Sequence, residues 1–190
     1  EPQEIKKEIE PIVEDKPQII LIGEAFSTYI VAQMGDSVYM IDKHAAHERI
    51  LFNKLKNEQK TQVQALLTPV IARLPEIEYD AVVQNTEILE KSGFEIEDFG
   101  NSSVIVRSIP TFFTSDNITE VISEIADGLV RTGSVSSEKE ENIFHTVACR
   151  AAIKAGNVIT RTEMQNLAEK VLSSKEIMYC PHGRPVAFEI

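Results

Sequence analysis

Acids and imidazoles crowd into one short stretch of this chain, Asp42-Lys43-His44-Ala45-Ala46-His47-Glu48. His44 and Glu48 are four residues apart, so a helix puts both side chains on one face, one turn apart. Asp42 lies at the mouth of that helix. An imidazole with carboxylates at this spacing suits a divalent metal such as zinc, which takes nitrogen and oxygen donors together. The same residues also make an ordinary helix start, with Asp42 as the cap and His44 and Glu48 as a solvated pair. A second cluster, Cys180-Pro181-His182-Gly183-Arg184-Pro185, shifts that balance. Cys-x-His in a turn held by proline and glycine converges a thiolate and an imidazole, and the prolines limit the entropy lost on binding an ion. Cys149 is a candidate third contributor on a helix, although a lone helical cysteine is more often a small core residue. His47 is a weaker candidate at the flank, and His145 has no visible partner. Asp42, His44, Glu48, Cys149, Cys180 and His182 are more donors than one tetrahedral ion needs. Either the extras hold the ligands in place or the site takes two ions. Thiolates argue for zinc in the inner position, with the carboxylates suited to a harder, exchangeable ion beside it. The sequence shows no glycine-rich phosphate loop and no Ser-His-Asp spacing.

These residues must be positioned by regular elements, and the hydrophobic pattern supplies them. Short β-rich runs at 18–25, 28–34 and 37–41, with Gly35-Asp36 between the last two, predict an antiparallel meander. A helix is expected from Lys43 to Lys56, capped by Asp42 and striped by Ile50, Leu51 and Leu55. Residues 63–74 read as extended and interrupted at Pro69. Tyr79 to Lys91 reads as one amphipathic helix ending at Gly93. A strand–turn–strand follows over 94–110, turning at Gly100-Asn101. Asn117 with Glu120 resembles a capping box ahead of an apolar-striped helix. Further helices are expected over about 138–155 and over 162–173, the latter opened by Thr162 with Gln165, before a last strand at 186–190. The order predicts an α+β, two-lobed fold: residues 17–63 and 136–190 form a lobe with the metal site, 64–135 an inserted lobe, and 134–137 the hinge.

Composition narrows the function classes. The 190 residues hold 19 basic and 30 acidic side chains, a formal charge of 19 − 30 = −11. A freestanding nucleic-acid binder usually has a basic excess, so any work on DNA needs something else to hold the chain there. Lys43, Arg49, Arg150, Lys154 and Arg184 lie near the motifs and make either a local positive strip or ordinary solvated helix charges. No apolar run approaches the roughly 18 residues of a membrane span, and the acidic residues 1–16 are linker-like rather than signal-like. Two cysteines are too few for a disulfide scaffold and suit a reducing cytoplasm. The absence of an initial Met is expected of a fragment of something longer.

The motifs DKHAAHE, ACR and CPHGRP, in this order and at these distances, resemble the C-terminal domains of the MutL family of DNA mismatch repair proteins. The likeness runs from about Pro17 and is closest to the branch whose C-terminal domain is a nicking endonuclease. It implies a dimerisation lobe with an inserted regulatory lobe, a homodimer, a zinc site, and manganese-dependent nicking of one strand of double-stranded DNA, bound weakly by the domain alone. By that resemblance Asp42, His44, Glu48, Cys149, Cys180 and His182 are the metal positions, with Asp42 and Glu48 the catalytic pair. It also implies a bacterial, cytoplasmic and nucleoid-associated location, and two partners: the N-terminal ATPase region of the same polypeptide and the replication sliding clamp. The clamp would be met through Gln64, Leu67 and Pro69 of QALLTP, a stretch that an extended apolar edge strand explains equally well. Two departures stand out. Lys43 replaces the family's usual Gln, and Asn53 replaces a usual Glu, which favours the alternative of a non-catalytic, zinc-stabilised dimerisation and clamp-binding module. The chain also stops earlier than the family pattern, so a terminal helix is expected to be missing.

Overall fold

In the computed structural model the described residues are 17–114, 117–132, 135–154, 156–174, 177–180 and 183–190. The expected linker at 1–16 and part of the expected hinge lie outside them. Among these described residues seven strands and six helices form a mixed α+β fold with two sheets. Strands β1 (Ile19–Ala25), β2 (Tyr29–Met34) and β3 (Ser37–Asp42) make the antiparallel meander, and β7 (Ala187–Glu189) joins β3 to close a four-stranded sheet. Period-2 patterning turns Ile30, Ala32 and Ile41 into the core, each with no exposed surface. β1 is an edge strand, and helix α6 (Arg161–Ser173) covers it. Gln165 accepts from the Leu21 amide at 3.2 Å and donates to Ile19 O at 2.8 Å, while Arg161 donates to Leu21 O.

The second sheet has the order β4-β6-β5, from β4 (Val63–Arg73), β5 (Glu95–Gly100) and β6 (Ser103–Pro110). Its core also takes in helix α4 (Ile118–Arg131), helix α5 (Ser136–Ala151) and the later turns of α1 (Lys43–Asn57) through Leu51, Phe52 and Leu55. The first turn of α1 belongs elsewhere: Ala45 and Ala46 pack in the core of the four-stranded sheet with Leu167, Cys180 and Val186. One helix therefore serves both cores.

Several elements depart from expectation for local reasons. The helix expected over 79–91 is two helices, α2 (Glu76–Val83) and α3 (Thr86–Lys91). Asn85 leaves helical space at φ −123° and ψ 27°, and its side-chain amide donates to Ala81 O. Asn117 makes no capping bond, because at φ +61° it has left the extended backbone that a cap needs. Helix α6 opens one turn-residue earlier, with Thr160 and Glu163 as its capping box; Gln165 is instead spent on β1. Helix α5 starts at Ser136 and stops at Ala151, where Ala152 turns extended. The β5–β6 turn falls on Asn101-Ser102, both at positive φ, with Gly100 at the end of β5.

Candidate metal centre

The β3 strand delivers Asp42 to the start of α1, where one carboxylate oxygen accepts the amides of His44 at 2.9 Å and Ala45 at 3.0 Å. This is the cap read from sequence, and it leaves the second oxygen uncommitted to the helix. His44 and Glu48 do share a face. His44 Nδ1 lies 2.9 Å from Ile153 O, an acceptor only, so Nδ1 carries the proton and Nε2 the lone pair. That Nε2 stands 3.9 Å from Oε2 of Glu48, a carboxylate with 3% residue exposure. The gap exceeds a hydrogen bond. Two ligands of one tetrahedral ion with bonds near 2.1 Å lie about 3.4 Å apart, so a nitrogen–oxygen pair here fits a divalent cation after a shift of about half an ångström. The Ile153 carbonyl supplies the outer hydrogen bond that such an imidazole needs for a fixed orientation.

The distant cysteine motif arrives at the same place. Residues 178–180 and 183–186 pair as the two arms of a hairpin: Cys180 N donates to Arg184 O and Gly183 N to Cys180 O, both at 2.8 Å, and Val186 N donates to Met178 O at 2.9 Å. Gly183 sits at φ +79°, a conformation costly for a side chain. The hairpin arms are bonded once to the end of β3 and twice to α1. Asp42 N donates to Val186 O at 2.9 Å, and Arg49 donates to Tyr179 O and, at 3.3 Å, to Cys180 O. Cys180 is 3% exposed, in the core that holds Ala45 and Ala46. Cys149 is half-buried on α5; burial, then the charges of Glu48 and Glu124, push its thiol above the ordinary range. His182 lies outside the described residues. Among the described residues no three His, Cys, Asp or Glu side chains close around one point; the donors approach in pairs through Glu48.

Other expectations need correction. Lys43 cannot meet DNA. It has no exposed surface, and its Nζ donates to Glu24 at 2.5 Å and to Asn157 O at 2.6 Å. Arg49 is occupied by the hairpin carbonyls and Arg150 by Glu124; Lys154 and Arg184 are exposed. His145, which has no legible partner in the sequence, places Nε2 4.0 Å from Glu48 Oε1. Its four-residue spacing from Cys149 is the signal that finds it. His47 accepts from the Ile153 amide at 3.0 Å, and burial, then Lys170 and His44, lower its pKa, which keeps it a neutral acceptor. Away from this centre, Ala65 pairs with Ser108 and Val70 with Val106, so residues 66–69 bulge from β4. Leu67 is fully exposed there, Pro69 is half-buried, and Gln64 donates to Phe113 O at 3.0 Å.

The MutL C terminal dimerisation domain family matches residues 22–159. The chain belongs to that family. It is 38% identical over 173 residues to a DNA mismatch repair protein MutL of Clostridium perfringens, covering 89% of this chain and 26% of that protein. The corresponding MutL of Caldanaerobacter subterraneus subsp. tengcongensis is 38% identical over 172 residues, 88% of this chain and 29% of that protein. The Clostridium acetobutylicum MutL is 37% identical over 191 aligned positions, 95% of this chain and 30% of that protein. The chain thus spans under a third of these MutL relatives and corresponds to the C-terminal dimerisation domain of a mismatch repair protein. No helix among its described residues is long and apolar enough to cross a membrane.

Proposed function

We propose that this domain is a metal-dependent DNA-nicking endonuclease that also forms a homodimer and docks on the replication sliding clamp. The observation that carries the reading is that Asp42 N bonds Val186 O and the Arg49 side chain bonds Cys180 O, which ties the helix start to the arms of the cysteine hairpin. Residues of the two chemistry-bearing motifs, more than 130 positions apart, meet in one packed corner. Zinc would be held by His44, Glu48, Cys180 and His182, with Cys149 and Asp42 as the remaining donors and manganese as the exchangeable ion for nicking. When bound, such a cation supplies Lewis-acid stabilisation of charge building on the scissile phosphate and leaving oxygen. The chain does the rest. Ile153 O aims His44, the core around Ala46 excludes water behind Cys180, and the Asp42 oxygen that does not cap the helix would serve as a proton acceptor or ligand. Lys154 and Arg184, both exposed near the motifs, are the cations available to a DNA backbone.

Dimerisation is supported by the outer face of the four-stranded sheet. Val31, Met40 and Phe188 are register partners there, flanked by Ile20 and Val38, so an antiparallel sheet is apolar on both faces. We assign residues 64–135 to an inserted regulatory lobe, supported by the separate three-stranded sheet, with the bulge at Gln64, Leu67 and Pro69 as the clamp contact. Its shape favours docking, since Leu67 is projected clear of the strand. The net charge of −11 makes the domain a weak DNA binder by itself. Tethering through the clamp and through an N-terminal ATPase region would raise the effective DNA concentration.

The competing reading, a zinc-stabilised dimerisation module without cleavage, is favoured by Asn53. The deciding experiment is nicking of supercoiled plasmid with manganese and loaded clamp. The endonuclease reading expects nicks that disappear in Glu48→Gln and drop at least tenfold in Gln64→Ala/Leu67→Ala. No nicking by a chain that still dimerises would establish the module instead.

A further inference from the structure

We propose that Lys43 is a positioning residue. Its ammonium, paired with Glu24, pins the connection after α5 so that the Ile153 peptide dictates which nitrogen of His44 carries the proton. The inference rests on the metal-site reading above and deepens it, because a neutral His44 offers Nε2 as a ligand beside Glu48 only when its proton is on Nδ1. Lys43 breaks two local rules. Its side chain is a fully buried cation, and it occupies the first turn of α1, the positive end of the helix dipole. Residues kept against local preference tend to fall at functional sites.

What the ammonium holds accounts for the exception. Glu24 lies in β1, paired with Ile30 of β2, and accepts from Lys43 Nζ at 2.5 Å. The same Nζ donates to Asn157 O at 2.6 Å, so the four-stranded sheet fixes the place of the connection. Beside that bond Gly156 N donates to Ser27 O, and Asn157 N closes a turn onto Lys154 O, both at 3.1 Å. The turn begins directly after Ile153, whose peptide makes opposite demands on two imidazoles of α1. Its carbonyl accepts from His44 at 2.9 Å, which requires a proton on Nδ1. Its amide donates to His47 Nδ1 at 3.0 Å, which leaves the proton of neutral His47 on Nε2. A neutral imidazole free in water prefers the Nε2–H form, so His47 is in its ordinary state and His44 is held out of it. Exposed Lys154, on the same turn, is carried to its place by the same anchor.

The test is magnetic resonance of the metal-free chain carrying 15N-labelled histidine, at about pH 8, above the ordinary imidazole range. Two-bond nitrogen–proton correlations report each tautomer. Wild type should show His44 as Nδ1–H and His47 as Nε2–H. Lys43→Met should move His44 mostly to Nε2–H and weaken Co2+ binding roughly tenfold or more. Lys43→Met/Glu24→Gln also removes the stranded charge and regains stability, yet should keep the altered tautomer, since nothing replaces the bond to Asn157 O. Leu55→Ala, destabilised in the core of the three-stranded sheet, should leave His44 as in wild type. Wild type with His44 as Nε2–H, His44 still Nδ1–H in both Lys43 variants, or an equal shift in Leu55→Ala overturns the proposal. The metal-site reading fails by a different mark: wild type whose His44 is Nδ1–H in the metal-free chain but which takes up no Co2+.

Discussion

At the scale of single residues, the surprise is a lysine. Lys43 is buried beside a candidate cation site, and its charge is met by Glu24 and by the Asn157 carbonyl. The Lys43 amide also donates to Thr28 O and the Gly156 amide to Ser27 O, so three chain segments meet at this point. The same loop carries Ile153, whose carbonyl and amide hold His44 and His47. Removing the ammonium leaves Glu24, only partly open to water, without its counter-charge. Lys43→Ala should therefore cost about 2–4 kcal/mol in urea unfolding, and Glu24→Gln in the same chain should recover part of it. Additive losses in that double-mutant cycle would show that the pair is not coupled. The sequence displays Lys43 as a motif-borne cation and nothing more. Whether such a cation points outward depends on Glu24, distant in sequence, so burial was not legible. Asp42, His44 and Glu48 were legible, because their geometry is set within one helical turn. His145 was hidden for the opposite reason: its partner sits on another helix.

Elements show the same division. The meander and the first helix follow from local period and turn chemistry and form where expected, and the β5–β6 hairpin forms with its turn one residue later. The helix boundaries after residue 76 do not, since Asn85, Asn117 and Ala152 obey local hydrogen bonds and tertiary docking rather than stripe periodicity. The two cysteine-bearing segments were readable as chemistry, but their meeting with α1 depends on Arg49 reaching carbonyls 130 residues away. Helix α6 offers a direct check on one such boundary. The amide of Thr160 and then its hydroxyl both bond Glu163 and hold its carboxyl below the ordinary range. A lowered carboxyl stabilises the fold above its unfolded pKa, and that contribution is lost as pH falls through the lowered value. Glu163→Gln keeps an acceptor without the charge. It should melt below wild type at neutral pH, and the two melting curves should converge in strong acid. A gap that persists unchanged at low pH would place the effect in packing instead.

For the whole molecule, charge and apolar surface pull toward different partners. A body of −11 repels phosphate, while the outer sheet face around Met40 and Phe188 offers apolar area suited to a second copy. Met40→Asp should shift the light-scattering mass toward one chain and leave the far-ultraviolet dichroism intact; a mass that does not change would exclude this face from the dimer. Composition had shown only that DNA must be reached with help. The apolar character of both sheet faces needed the register of all four strands before it could be seen.

Helix α1 has one end in each hydrophobic core. Melting either half strips that rod of the surface that keeps it helical, so neither half has a stable folded state to fall back on. Heat should consequently produce one calorimetric peak whose van't Hoff and measured enthalpies agree. Leu55→Ala, far from the cysteine hairpin, should bring the hairpin's amide-exchange protection down with everything else. Two resolved peaks would mean that the rod can be held from one end alone.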